Sequence, residues 1–152
     1  MIELPLSISV VILIIIGASF GSFLNVVIYR VPKKMSIITP RSHCFNCKSP
    51  IKTVHNIPIF TYFLLRGKCN YCGEKFASRY VFIEVITVLL TLIIFVIYGL
   101  TTSFLVYLAL MYLLIAITFV DIDHFIIPNG FVITGLCICL LYTSDAADEL
   151  TS

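Results

Sequence analysis

Four cysteines stand in two C-x-x-C pairs, Cys44 with Cys47 and Cys69 with Cys72, and 21 residues separate Cys47 from Cys69. Two such pairs on tight turns can bring four thiolates to about 2.3 Å from one Zn²⁺ in a tetrahedron, and the spacing is that of a zinc ribbon. Gly73, just after the second pair, supplies the backbone freedom that such a knuckle needs. Four thiolates leave no coordination position open to water, so the metal is expected to be structural. Its binding would stabilise a loop with too few apolar residues to fold alone. Two disulfides are the alternative for the same four residues. His43, beside Cys44, could replace a ligand but is read as a solvated histidine, as is His55. Cys137 and Cys139 are read as small packed hydrophobes.

A second chemistry is offered by carboxylates. Asp121 and Asp123 lie in the segment Val120-Asp121-Ile122-Asp123-His124-Phe125-Ile126-Ile127-Pro128-Asn129. Hydrolysis of a peptide without a nucleophilic side chain needs two carboxylates about 3 Å apart, one ionised to activate water and one protonated to polarise the carbonyl. Residues two apart on a helix point roughly 200° away from each other, so these two are not expected to form that pair. At most one of them faces a given cleft. Glu84 and Asn25 are polar groups inside apolar runs. Glu84 is an intramembrane acid that could serve function, reach to the interface or pair with Arg79, and Asn25 could bridge helices or line a site.

The elements that must position these groups are membrane helices. Of the 152 residues 60% are hydrophobic and only 12% charged, against roughly 45–50% and 25% in soluble chains. Water-soluble globular folding is excluded. The charge-free run from Leu6 to Ile28 is long enough to cross about 30 Å of hydrocarbon at about 1.5 Å per residue. It is read as a span rather than a cleaved signal peptide, because no basic region precedes it and Glu3 is its only nearby charge. Further runs from Tyr80 to Tyr98 and from Ser103 to Val120 make two more spans, joined as a hairpin through Gly99 to Thr102. Pro128 and Asn129 open another helix that turns polar at Thr143, short of a crossing. Gly17 and Gly21 form a G-x-x-x-G that lets the first span approach another helix closely.

Orientation follows from charge. All ten Lys and Arg lie between Arg30 and Arg79, and a loop carrying every basic residue stays in the cytoplasm by the positive-inside rule. The amino terminus then faces outward, and Asp121 and Asp123 emerge beside the basic loop on the cytosolic side. A cytosolic loop also keeps thiols reduced, which favours metal over disulfides. Such a loop should prefer anionic lipid head groups. The tail from Cys139 to Glu149 (CLLYTSDAADE) is similar to a translated sequencing-library adapter, and residues 139–152 are expected to be non-native.

Several motifs occur in one order: Gly21-Ser22-Phe23-Leu24-Asn25-Val26-Val27-Ile28-Tyr29-Arg30, the two C-x-x-C pairs, Asn56-Ile57-Pro58, Leu65-Arg66-Gly67-Lys68-Cys69, Ser78-Arg79-Tyr80 with Glu84, and Asp121-Ile122-Asp123 before Ile127-Pro128. Together they resemble the bacterial type IV prepilin peptidases, over Ile8 to about Leu136. The resemblance implies a multi-pass inner-membrane aspartic endopeptidase that removes the leader from type IV prepilins, pseudopilins or competence pilins on the cytosolic side. Many members also methylate the new terminal amine with S-adenosylmethionine. By motif, Asp121 is the first catalytic aspartate, with Asp123, Glu84 and Asn25 as supporting candidates, and Cys44, Cys47, Cys69 and Cys72 match the metal-binding cytosolic domain. Two departures stand out. Asn129 occupies a position that is often Asp in the family, and the G-x-G-D motif that supplies the second aspartate is absent. The chain is therefore expected to be a carboxyl-terminally truncated fragment, inactive by itself.

The expected fold is an all-α polytopic membrane protein, a transmembrane helix bundle with a small cytosolic zinc-ribbon-like loop domain. Residues 1–29 form the first transmembrane helix, 30–79 the cytosolic four-cysteine zinc-binding domain, 80–138 the incomplete peptidase core and 139–152 the tail. The expected partners are prepilin or pseudopilin substrates and the lipid bilayer, with no nucleic acid. A non-catalytic zinc-stapled membrane scaffold is the competing reading, and a transporter built on Glu84 and Asn25 a more distant one.

Overall fold

In a computed structural model the described residues are 5–39, 47, 49, 59, 62–63, 67–75 and 77–151. They form long helices and no named strand; a single antiparallel bridge joins Lys68 and Lys75. The all-α expectation holds. The helices are α1 (Leu6–Arg30), α2 (Arg79–Tyr98), α3 (Thr102–His124) and α4 (Asn129–Thr151).

The first three are each long and apolar enough to cross a membrane. The second and third helices end where the backbone turns to positive φ. Gly99, with φ of 62°, takes the left-handed turn after α2, and the Thr101 side chain accepts from the Phe104 N–H at 3.3 Å to cap α3. This makes the predicted hairpin. At the other end of α3 the left-handed residue is Phe125 (φ 52°), whose N–H donates to the Asp121 carbonyl at 2.8 Å. Helix α3 therefore runs one turn past Val120, where the apolar run stops, and carries both aspartates on helical backbone. Backbone hydrogen bonding continues where hydropathy has ended.

Helix α4 also outlasts its apolar stretch. Only Asn129–Leu140 is apolar, short of a crossing as expected, but helical backbone continues to Thr151. Ala, Glu, Leu and Asp follow Thr143 with no Gly or Pro to stop it. Helix α4 packs back against α3, with Phe131 on the core and Tyr142 meeting Tyr107 near the start of α3, ring centroids 5.7 Å apart.

The tightest contact joins α1 to α2 in antiparallel fashion. A Cβ on Gly21 would sit 2.3 Å from Thr87 Oγ1 and 2.7 Å from Glu84 Cα, and one on Gly17 would sit 3.0 Å from both Thr91 Oγ1 and Val88 Cα. The G-x-x-x-G pair thus receives a threonine pair of the same spacing. Thr87 and Thr91 are fully buried, and their hydroxyls donate back to helix carbonyls, Thr91 to that of Thr87 at 2.7 Å. The Tyr112 hydroxyl, 2.7 Å from Thr91 Oγ1, extends this chain from α2 to α3. Ile83, Ile94, Leu108, Ile115, Ala116 and Val120 complete the centre. The outward apolar side chains, such as Ile15, Val96 and Leu105, cover a surface suited to lipid.

Candidate active site and metal centre

Asp121 and Asp123 sit on the last turn of α3, at the end of the bundle where α1 finishes and α2 begins. They occupy different environments, as their two-residue separation requires. Asp123 is taken by Arg79, the first residue of α2: Arg79 Nη1 donates to Asp123 Oδ1 in a short ion pair. Arg79 Nη2 donates to the Phe119 carbonyl at 3.3 Å, and the guanidinium carbon lies 5.1 Å from the centre of the Phe119 ring. Asp121 is exposed, and its carboxyl has no hydrogen-bond partner among the described residues. One acid is engaged; the other is exposed.

Glu84 does not pair with Arg79. It is buried between α1 and α2, where its Oε2 accepts from the backbone N–H of Ile59 at 2.7 Å and its carboxyl is hydrogen-bonded by the Ser22 side chain. Burial of an acid in this setting is tolerated because donors meet it. The same contact ties the inter-helix loop to the bundle, a connection that the sequence does not suggest. Asn25 lies about one helical turn beyond Gly21, toward the carboxyl end of α1, and its Nδ2 donates to the Tyr80 carbonyl at 3.0 Å. It bridges α1 and α2. Neither residue reaches Asp121 through a described hydrogen bond.

Arg30 closes α1 in a comparable way. It is buried, and its Nη1 donates to the Ser36 carbonyl at 2.9 Å, folding the chain back after the helix. Lys33 lies over the Tyr29 ring with Nζ 3.5 Å from its centroid. A basic head group beside an aromatic ring suits a membrane boundary.

The cysteine cluster is partly described. Cys44 lies outside the described residues, together with His43 and His55. The Sγ atoms of Cys47, Cys69 and Cys72 lie within 4.8 Å of one another, with Cys47 and Cys69 at 4.0 Å. Tetrahedral thiolates at about 2.3 Å from a zinc ion would be about 3.8 Å apart, so the donor set fits a metal with little closure. The local backbone is a knuckle. Cys69 N–H donates to the Glu74 carbonyl at 2.8 Å, Gly73 N–H donates to the Cys69 carbonyl at 2.9 Å, and Gly73 adopts φ of 72°. Cys69 is buried and the other two are exposed. Cys137 and Cys139, read as packed hydrophobes, are exposed on α4 instead, because only α3 covers that helix among the described elements.

A family model described as Bacterial Peptidase A24 N-terminal domain matches residues 15–98. The chain belongs to this peptidase family. The match covers most of α1, the cysteine loop and α2, and ends before the aspartates. Among curated relatives, a prepilin leader peptidase/N-methyltransferase of Myxococcus xanthus is 38% identical over 126 residues, which is 83% of this chain and 38% of the relative. A protein of the same name from Legionella pneumophila is 33% identical over 144 residues, covering 80% of this chain and 50% of the relative. A type 4 prepilin-like proteins leader peptide-processing enzyme of Escherichia coli is 33% identical over 133 residues, covering 76% and 49%. The A24 chain thus spans about half the length of these relatives, or less. No solved structure matches it.

Thr87, Thr91 and Tyr112 are not singled out by motif or composition, and Arg79 stands out as part of Ser78-Arg79-Tyr80 and as a partner for Glu84, not for Asp123. The T-x-x-x-T spacing of Thr87 and Thr91 inside an apolar run is the available signal.

Proposed function

We propose that this A24 family chain is the front part of an inner-membrane aspartic endopeptidase that removes the leader from type IV prepilins, pseudopilins or competence pilins at the cytosolic face. Asp121 supplies one catalytic carboxyl. The observation that carries the reading is its exposed carboxyl at the helix end, without a partner among the described residues, beside an Asp123 whose charge is already met by Arg79. The second carboxyl comes from a G-x-G-D segment that this chain does not contain, so the chain alone is inactive. In the complete site the two acids hold one water, the ionised one accepting its proton as oxygen attacks the scissile carbonyl and the protonated one donating to that carbonyl oxygen. No acyl-enzyme forms.

The substrate's leader and apolar helix arrive in the plane of the bilayer, where the helix packs against these spans. Cys44, Cys47, Cys69 and Cys72 bind a structural zinc ion, which staples the cytosolic loop. The relatives' names support a second activity in the whole protein, methyl transfer from S-adenosylmethionine to the new terminal amine, to which no residue of this chain is assigned. The basic loop and Asp121 share the cytosolic side.

Asp121→Asn in a full-length version tests the assignment. Prepilin cleavage should be abolished, with membrane insertion and zinc content as in the parent. Retained processing would refute the catalytic role of Asp121.

A further inference from the structure

Arg79 makes three attachments to one turn of α3, and Asp121 is on the other side of that turn. Phe119 and Asp123 are four residues apart and about 40° apart around a helix at about 100° per residue, whereas Asp121 is roughly 200° from each. The guanidinium donates to the Asp123 carboxylate and the Phe119 carbonyl and lies against the Phe119 ring. Phe82, three residues along α2, meets the same ring edge-on with centroids 6.3 Å apart. The first turn of α2 therefore grips a single face of α3, over its last turn.

From this placement we infer that Arg79 is a positioning residue for Asp121, fixing the rotation of the α3 end so that Asp121 faces outward while Asp123 is held back. The inference rests on the reading of Asp121 as catalytic. Two further features suit the role. A guanidinium is planar and permanently charged, so it can hold a carboxylate and a carbonyl together where an ammonium would act as a single point charge. Arg79 is also the first helical residue after the cysteine loop, so the loop's exit and the aspartate-bearing turn share one side chain. Asp123 on this account never touches the water or the substrate. It is the handle by which the helix is held.

The test has one arm that needs no activity. In this chain, reconstituted in lipid nanodiscs, hydrogen exchange is followed at the amides of residues 123–125, which include the Phe125 N–H bonded to the Asp121 carbonyl. Arg79→Ala and Asp123→Ala should each speed exchange there by about tenfold, with amides of α1 unchanged. The double variant should exchange no faster than Arg79→Ala alone, and Arg79→Asp with Asp123→Arg should restore the part of the protection that the ion pair supplies. Additive effects, or no change, would overturn the grip.

The second arm uses a full-length version carrying the second aspartate. Arg79→Ala should lower kcat by about 10- to 100-fold at unchanged KM and zinc content, since a small misplacement of a reacting group has effects of that size. Arg79→Lys should recover only part of the loss, and the charge-swapped pair no more than that, since it keeps an ion pair without the contacts from residue 79 to Phe119. A changed exchange rate with unaltered kcat, or a rise in KM alone, would overturn the positioning role. Cleavage surviving Asp121→Asn would remove the catalytic reading, and the exchange data would still decide whether the grip exists.

Discussion

A side chain at Gly21 would place its Cβ 2.3 Å from the Thr87 hydroxyl oxygen, closer than any nonbonded contact permits. Thr87 cannot retreat, because it is fully buried and its hydroxyl is committed to the carbonyls of Ile83 and Glu84. Gly21→Ala should therefore push α1 away from α2 and destabilise the bundle by about 1–3 kcal/mol, the usual cost of overpacking. Gly17→Ala meets contacts of 3.0 Å and should be the milder change. Thermal unfolding in detergent compares the two variants, and equal transitions for Gly21→Ala and the parent would contradict the packing described.

The Tyr112 hydroxyl donates to Thr91 Oγ1, which in turn donates to the Thr87 carbonyl, so the link between α2 and α3 runs through two side chains. Interhelical hydrogen bonds within membranes average about 0.6 kcal/mol, and this one should be of that order. Tyr112→Phe and Thr91→Val should each lower the unfolding midpoint slightly, and the double variant should lower it by less than the sum. Additivity would mean that the two hydroxyls act independently.

Glu84 holds Ile59 through a backbone N–H at 2.7 Å, and the two residues are 25 apart in sequence. A carboxamide keeps an acceptor at that point; a methyl group does not. Glu84→Ala should therefore expose the chain around position 59 to added protease several times faster, whereas Glu84→Gln should stay near the parent. Mass spectrometry of fragments from inside-out vesicles reads the rates. Equal cleavage in both variants would show that the acid does not anchor the loop.

The spans are legible in the sequence because lipid imposes a simple rule, and apolar runs of sufficient length become helices. The apolar runs that mark α1 and α2 end within two residues of the observed helices, and α3 exceeds its apolar run by one turn because helical hydrogen bonding does not stop at the first aspartate. Gly17 and Gly21 announce a close contact, but not its recipient. What stays hidden depends on register between helices distant in sequence. Arg79 could meet Glu84 on its own helix or Asp123 across the hairpin, and only the rotation of α2 against α3 decides for Asp123. Thr87 and Thr91 read as neutral within an apolar run, because a hydroxyl that returns to its own helix leaves no trace in hydropathy.

The sulfur atoms of Cys47, Cys69 and Cys72 are already gathered to within 4.8 Å, and the knuckle at Gly73 is closed by backbone hydrogen bonds. Protein purified under reducing conditions should therefore carry about one zinc ion per chain, as four-thiolate sites do. Cys69→Ser should lower that content sharply, because it removes the buried ligand, and Cys47→Ser and Cys72→Ser should lower it as well. Cys137→Ser and Cys139→Ser should leave it unchanged, since both lie on α4 and neither belongs to the gathered group of sulfurs. Elemental analysis by mass spectrometry, with thiol counting before and after chelation, makes the comparison. Chelation should expose thiols rather than disulfides. A metal content that survives Cys69→Ser, or four cysteines recovered as disulfides from cells lysed with a thiol-blocking reagent, would rule out the metal centre and with it a reducing location for the loop.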